Sequence, residues 1–191
     1  MRKHLIALVV ALIAILLGAC GFADTNINHY LESGKPIDDY ATDVMPDLES
    51  LPHYNSIDYQ FYDKYSILGA PRSMLLVVAY DQQTYEDEKR KIDDKYTFLD
   101  HAVEAEAWPE TFLMPEYDFT IEDYHFRVVA GNEEDYTEYP KRFGMVATSD
   151  EKKEIAYLYF SDYDLDFISS PNVDQTMTDF VKEYFRYNWL K

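Results

Sequence analysis

The sequence predicts an α+β fold: a largely antiparallel sheet with a long central helix and a C-terminal helix, both packed on one face. Three observations carry this expectation. Residues 56–62 alternate, with Ile57, Tyr59 and Phe61 on one side and Asp58 and Gln60 on the other, the period-two pattern of a half-buried strand. Residues 73–80, SMLLVVAY, form an unbroken apolar run of strand length, as in a strand buried on both faces near the middle of a sheet. Residues 81–107 then carry Tyr85, Ile92, Tyr96, Leu99 and Val103 at steps of seven, four, three and four, which is one face of a helix. Runs of strands separated by single helices give an α+β arrangement rather than a parallel βαβ series.

The elements follow in order. In the helix at 81–107, Asp81 or Thr84 supplies the N-cap, Pro109 forces the stop, and Trp108 is expected to fold back onto the sheet. Phe119 and Ile121 alternate with polar neighbours, as do Tyr124, Phe126 and Val128, giving two further strands. Residues 131–134, GNEE, read as a turn. Residues 142–148 and 154–162 flank the polar loop SDEKK and read as an antiparallel hairpin. After Pro171, Asn172 and Gln175 have capping-box spacing, and Met177, Phe180, Val181, Tyr184 and Phe185 form the stripe of the last helix.

The chain begins with Arg2 and Lys3, an apolar run over 5–17, the small residues Gly18 and Ala19, and then Cys20. A basic start, a short apolar core and a small-residue site make a secretory signal peptide. The run is shorter than the ~20 residues a membrane-spanning helix needs. Leu17-Gly18-Ala19-Cys20 resembles the lipobox of bacterial lipoproteins, an aliphatic residue and two small ones before a cysteine. The resemblance covers residues 1–20. It implies cleavage between Ala19 and Cys20, with a diacylglycerol on the Cys20 thiol. Several acyl chains on one residue provide the anchoring that one chain cannot. The expected organisation is a signal peptide over 1–19, a tether over 20–52 and one globular domain over 53–191. The tether holds Gly34, Pro36, Pro46 and Pro52 without a clear period. His29, Tyr30, Leu31 and Tyr40 are more apolar than a linker requires, so part of it is expected to dock, and a helical turn fits 43–50.

Cys20 is the only cysteine; once lipidated it leaves no thiol for a disulfide. The leader takes two of the seventeen basic residues and none of the thirty-six acidic ones, so the remainder sets fifteen against thirty-six, a formal charge of −21. Such a surface is repelled by anionic lipid headgroups and by nucleic acid, and nucleic acid is excluded as a partner. Cations and basic proteins are favoured. Eighteen tyrosines supply rings that pack while their hydroxyls stay wet.

Two constellations are candidate sites. Asp162, Asp164 and Asp166 alternate in SDYDLDF and offer oxygens to a hard cation such as calcium. The spacing resembles the opening of an EF-hand loop, but Phe167 stands where that loop has glycine and Val173 where it has glutamate. His125 and Arg127 share one strand face and would bind an anion if a pocket lay beside them. No nucleophile elbow, phosphate-binding glycine loop or zinc spacing occurs. The expected function is a lipid-anchored, extracytoplasmic, non-enzymatic binding module at the cell membrane, for an envelope protein or a small envelope ligand. The rivals are a glycan-acting enzyme with paired carboxylates and a solute-capture lipoprotein of a transporter.

Overall fold

The computed structural model describes residues 22–30, 39–63, 71–104, 112–114, 116–138, 141–162, 177–185, 187 and 189. The fold is α+β, built on a seven-stranded sheet in which every neighbouring pair is antiparallel. Its strands are β1 (Phe22–Asp24), β2 (Ser56–Asp63), β3 (Arg72–Ala79), β6 (Asp118–Ile121), β7 (Tyr124–Val128), β8 (Lys141–Ser149) and β9 (Glu154–Asp162). The order across the sheet is β1-β2-β3-β9-β8-β7-β6. A separate two-stranded piece pairs β4 (Val103–Glu104) with β5 (Phe112–Met114).

The apolar run at 73–80 is the interior strand β3, whose residues 73–78 are all buried. Successive side chains point to opposite faces, so burial throughout requires a layer on each side. Leu75, Val77, Phe143, Met145, Leu158 and Phe160 belong to one apolar cluster. Met74, Leu76, Val78, Val146, Ile155 and Tyr157 belong to another.

The helices divide between these faces, which corrects the expectation of one shared face. Helix α2 (Gln82–Lys95) covers the second cluster with Tyr85 and Ile92. Helix α4 (Met177–Tyr184) covers the first with Met177, Phe180, Val181 and Tyr184. Central strands apolar on both faces must be shielded on both, and helices on one side would leave the other wet.

The long helix is shorter than its periodicity suggests. Asp81 caps it, accepting from the amides of Gln83 at 2.9 Å and Thr84 at 3.0 Å, but it ends at Lys95, with Tyr96 extended. Residues 97–99 instead join the sheet. Phe98 pairs with Val129, Leu99 N donates to Val128 O at 2.9 Å, and Ala130 N donates to Thr97 O at 2.8 Å. The β-branched and aromatic run Tyr96-Thr97-Phe98 suits a strand, and strand pairing overrides the helical spacing. Leu99 and Val103 therefore pack on the opposite cluster from Tyr85 and Ile92. The turn at 131–134 continues into a short helix, α3 (Glu133–Thr137). The hairpin of β8 and β9 forms as expected. Residues 105–110, with Trp108, and the capping pair Asn172 and Gln175 lie outside the described residues.

Within the stretch expected as a tether, β1 pairs with β2, and a short helix α1 (Asp39–Val44) follows. Tyr30, Ala41, Val44 and Met45 are buried in the second cluster. The docking expected of Tyr30 and Tyr40 is present, for Tyr40 packs against the same cluster and its ring lies 6.2 Å from that of Tyr159.

Candidate functional site

A cleft of ≈ 140 Å³ opens between the segment after α1 and the face of α2 that carries Glu88, Ile92 and Lys95. Two buried tyrosines set the first wall. Tyr30 donates to Pro46 O at 2.7 Å and Tyr96 donates to Val44 O at 2.8 Å, so the backbone on both sides of Met45 hangs from the core. Asp47 then starts a helical turn at Leu48–Ser50 by accepting from Glu49 N at 3.1 Å. Pro46, Ser50 and Leu51 form this wall.

The other wall is Glu88, Lys91, Ile92 and Lys95 of α2, whose spacing of three, four and seven places them on one helix face. Tyr96 and Tyr157 complete the lining. Lys91 is held by Glu88 at 2.6 Å, and that hydrogen bond raises the Lys91 pKa above its ordinary value. Lys95 differs: it donates to the neutral hydroxyl of Tyr96 at 2.8 Å, and its ammonium lies 4.6 Å from that ring centre. Burial lowers the Lys95 pKa, with Asp43 opposing the shift. Burial likewise pushes the phenols of Tyr96 and Tyr157 up, so both are neutral hydroxyls at physiological pH. The cleft thus presents an ammonium bonded to a neutral phenol, a second cation with its carboxylate, and an apolar floor.

The sequence-derived candidates fall elsewhere. Ala19 and Cys20 lie outside the described residues, as do Asp164 and Asp166. Asp162 is completely buried at the end of β9, opposite Lys141 in register. It shares the sheet face of Leu158 and Phe160. Tyr184 lies near it; burial first, then Glu183 and Asp162, push that phenol up to about 12. Among the described residues no group of three or more His, Cys, Asp or Glu side chains is placed to hold a metal. His125 and Arg127 do share a strand face, but each meets a carboxylate. His125 Nε2 lies 2.7 Å from Asp118, and Arg127 bonds Asp93 at 2.7 Å while stacking 3.8 Å from the Phe98 ring centre.

Sequence reading missed the cleft because Lys91 and Lys95 resemble any solvated helix face. The available signal was their i, i+4 spacing around Ile92, with Tyr96 directly following Lys95. Glu88 and Tyr157 could not be linked to them without the tertiary fold. Among the described residues no helix is long and apolar enough to cross a membrane. Comparison of the chain with protein-family models, with curated proteins and with solved structures finds no match in any of the three.

Proposed function

We propose that this protein is a lipid-anchored, extracytoplasmic binding module whose ligand enters the cleft between residues 46–51 and α2 with an anionic group foremost. The observation that carries this reading is Lys95. In a chain of formal charge −19, this exposed lysine lines the cleft with its ammonium bonded to a neutral phenol. A carboxylate there would replace the neutral acceptor of this ammonium with a charged one, and charge-assisted hydrogen bonds are about twice as strong as neutral ones. The volume is below the ~300–1,000 Å³ of sites that enclose drug-sized ligands. It suits an end group, such as a carboxylate on a cell-wall fragment or at a peptide terminus, better than a whole sugar. The leader supports the location, since Cys20 ends a lipobox-like sequence.

The test is a thermal-shift screen of residues 21–191 against carboxylate-bearing cell-wall fragments, short peptides, amino acids and neutral sugars. A ligand at ~100 times its Kd adds about 2.7 kcal/mol, or roughly 5–10 °C for a domain of this size. The expected result is a shift with a carboxylate-bearing compound that Lys95→Gln removes. A shift that survives Lys95→Gln, or one confined to neutral sugars, sinks the cleft assignment. Cys20→Ser is expected to leave the precursor uncut and without lipid.

A further inference from the structure

The first strand begins two residues after the cysteine of the lipobox-like motif. β1 starts at Phe22, which pairs with Asp63 at the end of β2. Two residues of any conformation span at most about 7 Å. A free chain over 20–52 would instead have an r.m.s. reach of roughly 30 Å. Pairing of β1 removes that freedom and ties one particular end of the sheet to Cys20.

Which end this is follows from the register. Phe22, Asp63, Arg72, Ser161 and Arg142 stand in one row across five neighbouring strands. Lys141 and Asp162 form the next row outward. Each of three basic residues at this end has a carboxylate neighbour, and the exposed Glu134 and Glu138 of the segment leading into β8 add two further acids. Arg72 lies 3.5 Å from Asp63, Arg142 bonds Asp135 at 2.7 Å, and Lys141 faces Asp162 in register.

The opposite end is acidic. It carries Asp81, the β6–β7 turn with Glu122 and Asp123, and the β8–β9 turn with Asp150, Glu151 and Glu154; these outnumber Lys89, Lys152 and Lys153. β2 and β3 have eight residues each, so the two ends are separated by about 25 Å. That exceeds the ~8 Å screening length of physiological salt. With the β1 end down, the acidic turns lie beyond the reach of an anionic headgroup layer; inverted, they would touch it.

We propose that the protein stands on the membrane without a spacer: the sheet end carrying Asp63, Arg72 and Arg142 rests against the lipid headgroups, and the acidic β6–β7 and β8–β9 turns point away. This rests on the reading of Cys20 as the lipid anchor. It deepens the proposed function by giving the domain one orientation on the membrane.

The experiment uses the full-length chain, processed in a bacterial host and reconstituted into vesicles of phosphatidylcholine and phosphatidylglycerol. Cys20 carries the lipid, so a single introduced thiol accepts a fluorophore. Glu138→Cys labels the exposed position just before β8, and Glu151→Cys labels the distal turn. A headgroup-attached acceptor is expected to quench the label at 138 several-fold more than that at 151. A flexible Gly/Ser spacer inserted between Cys20 and Phe22 should bring the two signals together. Equal quenching before insertion, or stronger quenching at 151, overturns the orientation. Mass spectrometry of the N-terminal peptide separates the two claims: lipid on Cys20 with equal quenching sinks the orientation alone, whereas absence of lipid sinks both.

Discussion

Gly144 sits directly against Val44: a Cβ on the glycine would overlap both methyl groups of the valine. The contact brings α1 down onto the backbone of β8, and it explains why β8 carries a glycine in the middle of a buried strand. Val44 is itself buried, and its carbonyl takes the hydrogen bond from Tyr96. The approach of α1 to the sheet therefore helps position one wall of the cleft.

Gly144→Ala should destabilise the domain by about 1–3 kcal/mol, the usual cost of overpacking. For a domain of this size each kcal/mol lowers Tm by roughly 2–4 °C. Val44→Ala removes the clashing methyls, so the double variant should lose less than the two single losses combined. Thermal or urea denaturation of the four proteins reads this coupling. Simple additivity would mean that α1 does not rest on Gly144.

Asp135 is buried, accepts from Arg142 Nε at 2.7 Å and also accepts from Asn132 N at 2.9 Å. Asp135→Ala removes the carboxylate that both donors share. The expected cost is about 1.5–3 kcal/mol, in the range for hydrogen bonds to charged groups, seen as a lower urea midpoint. Asp135→Asn keeps an acceptor and should fall between wild type and alanine.

Asp150 joins the β8–β9 turn to α2. Lys89 donates to it at 2.6 Å and Tyr85 at 2.5 Å, and first the Lys89 bond, then the Tyr85 bond, hold its carboxyl below the ordinary 3.8. A pKa depressed in the folded state contributes stability above the unfolded value and loses it as pH falls through the folded one. Stability should therefore decline as pH drops below about 4, and Asp150→Asn should flatten that decline while leaving the neutral-to-alkaline limb in place. Chemical denaturation across pH 2–7 would check it; an unchanged acid limb would remove Asp150 from the account.

Phe180 is fully buried on α4, with ring centres 4.8 Å from Phe160, 5.5 Å from Phe143 and 4.7 Å from Tyr184. Phe180→Ala should cost about 3–5 kcal/mol. Because α4 covers only one face, hydrogen exchange should rise most in α4 and less in α2. Equal loosening of both helices would indicate that the two faces do not behave as separate layers.

Much of this protein was legible from local pattern. Alternation at 57–61 and at 119–128 marks strands, because a half-buried sheet demands a period of two. The unbroken run at 73–80 marks an interior strand, and Asp81 marks the start of α2, because a carboxylate satisfies free amides wherever they occur. The lipobox-like reading of residues 17–20 likewise rests on adjacent residues alone. Three things were decided only by the tertiary structure. The helix stops at Lys95 because Thr97 and Leu99 find partners in Ala130 and Val128, about thirty residues away. The two helices take opposite faces because β3, β8 and β9 together need cover on both sides, a requirement of the assembled sheet. The cleft joins Pro46 and Leu51 to Lys95 and Tyr157 across a hundred residues of chain. Periodicity reports which side of an element is apolar, but only packing determines which distant surface meets it.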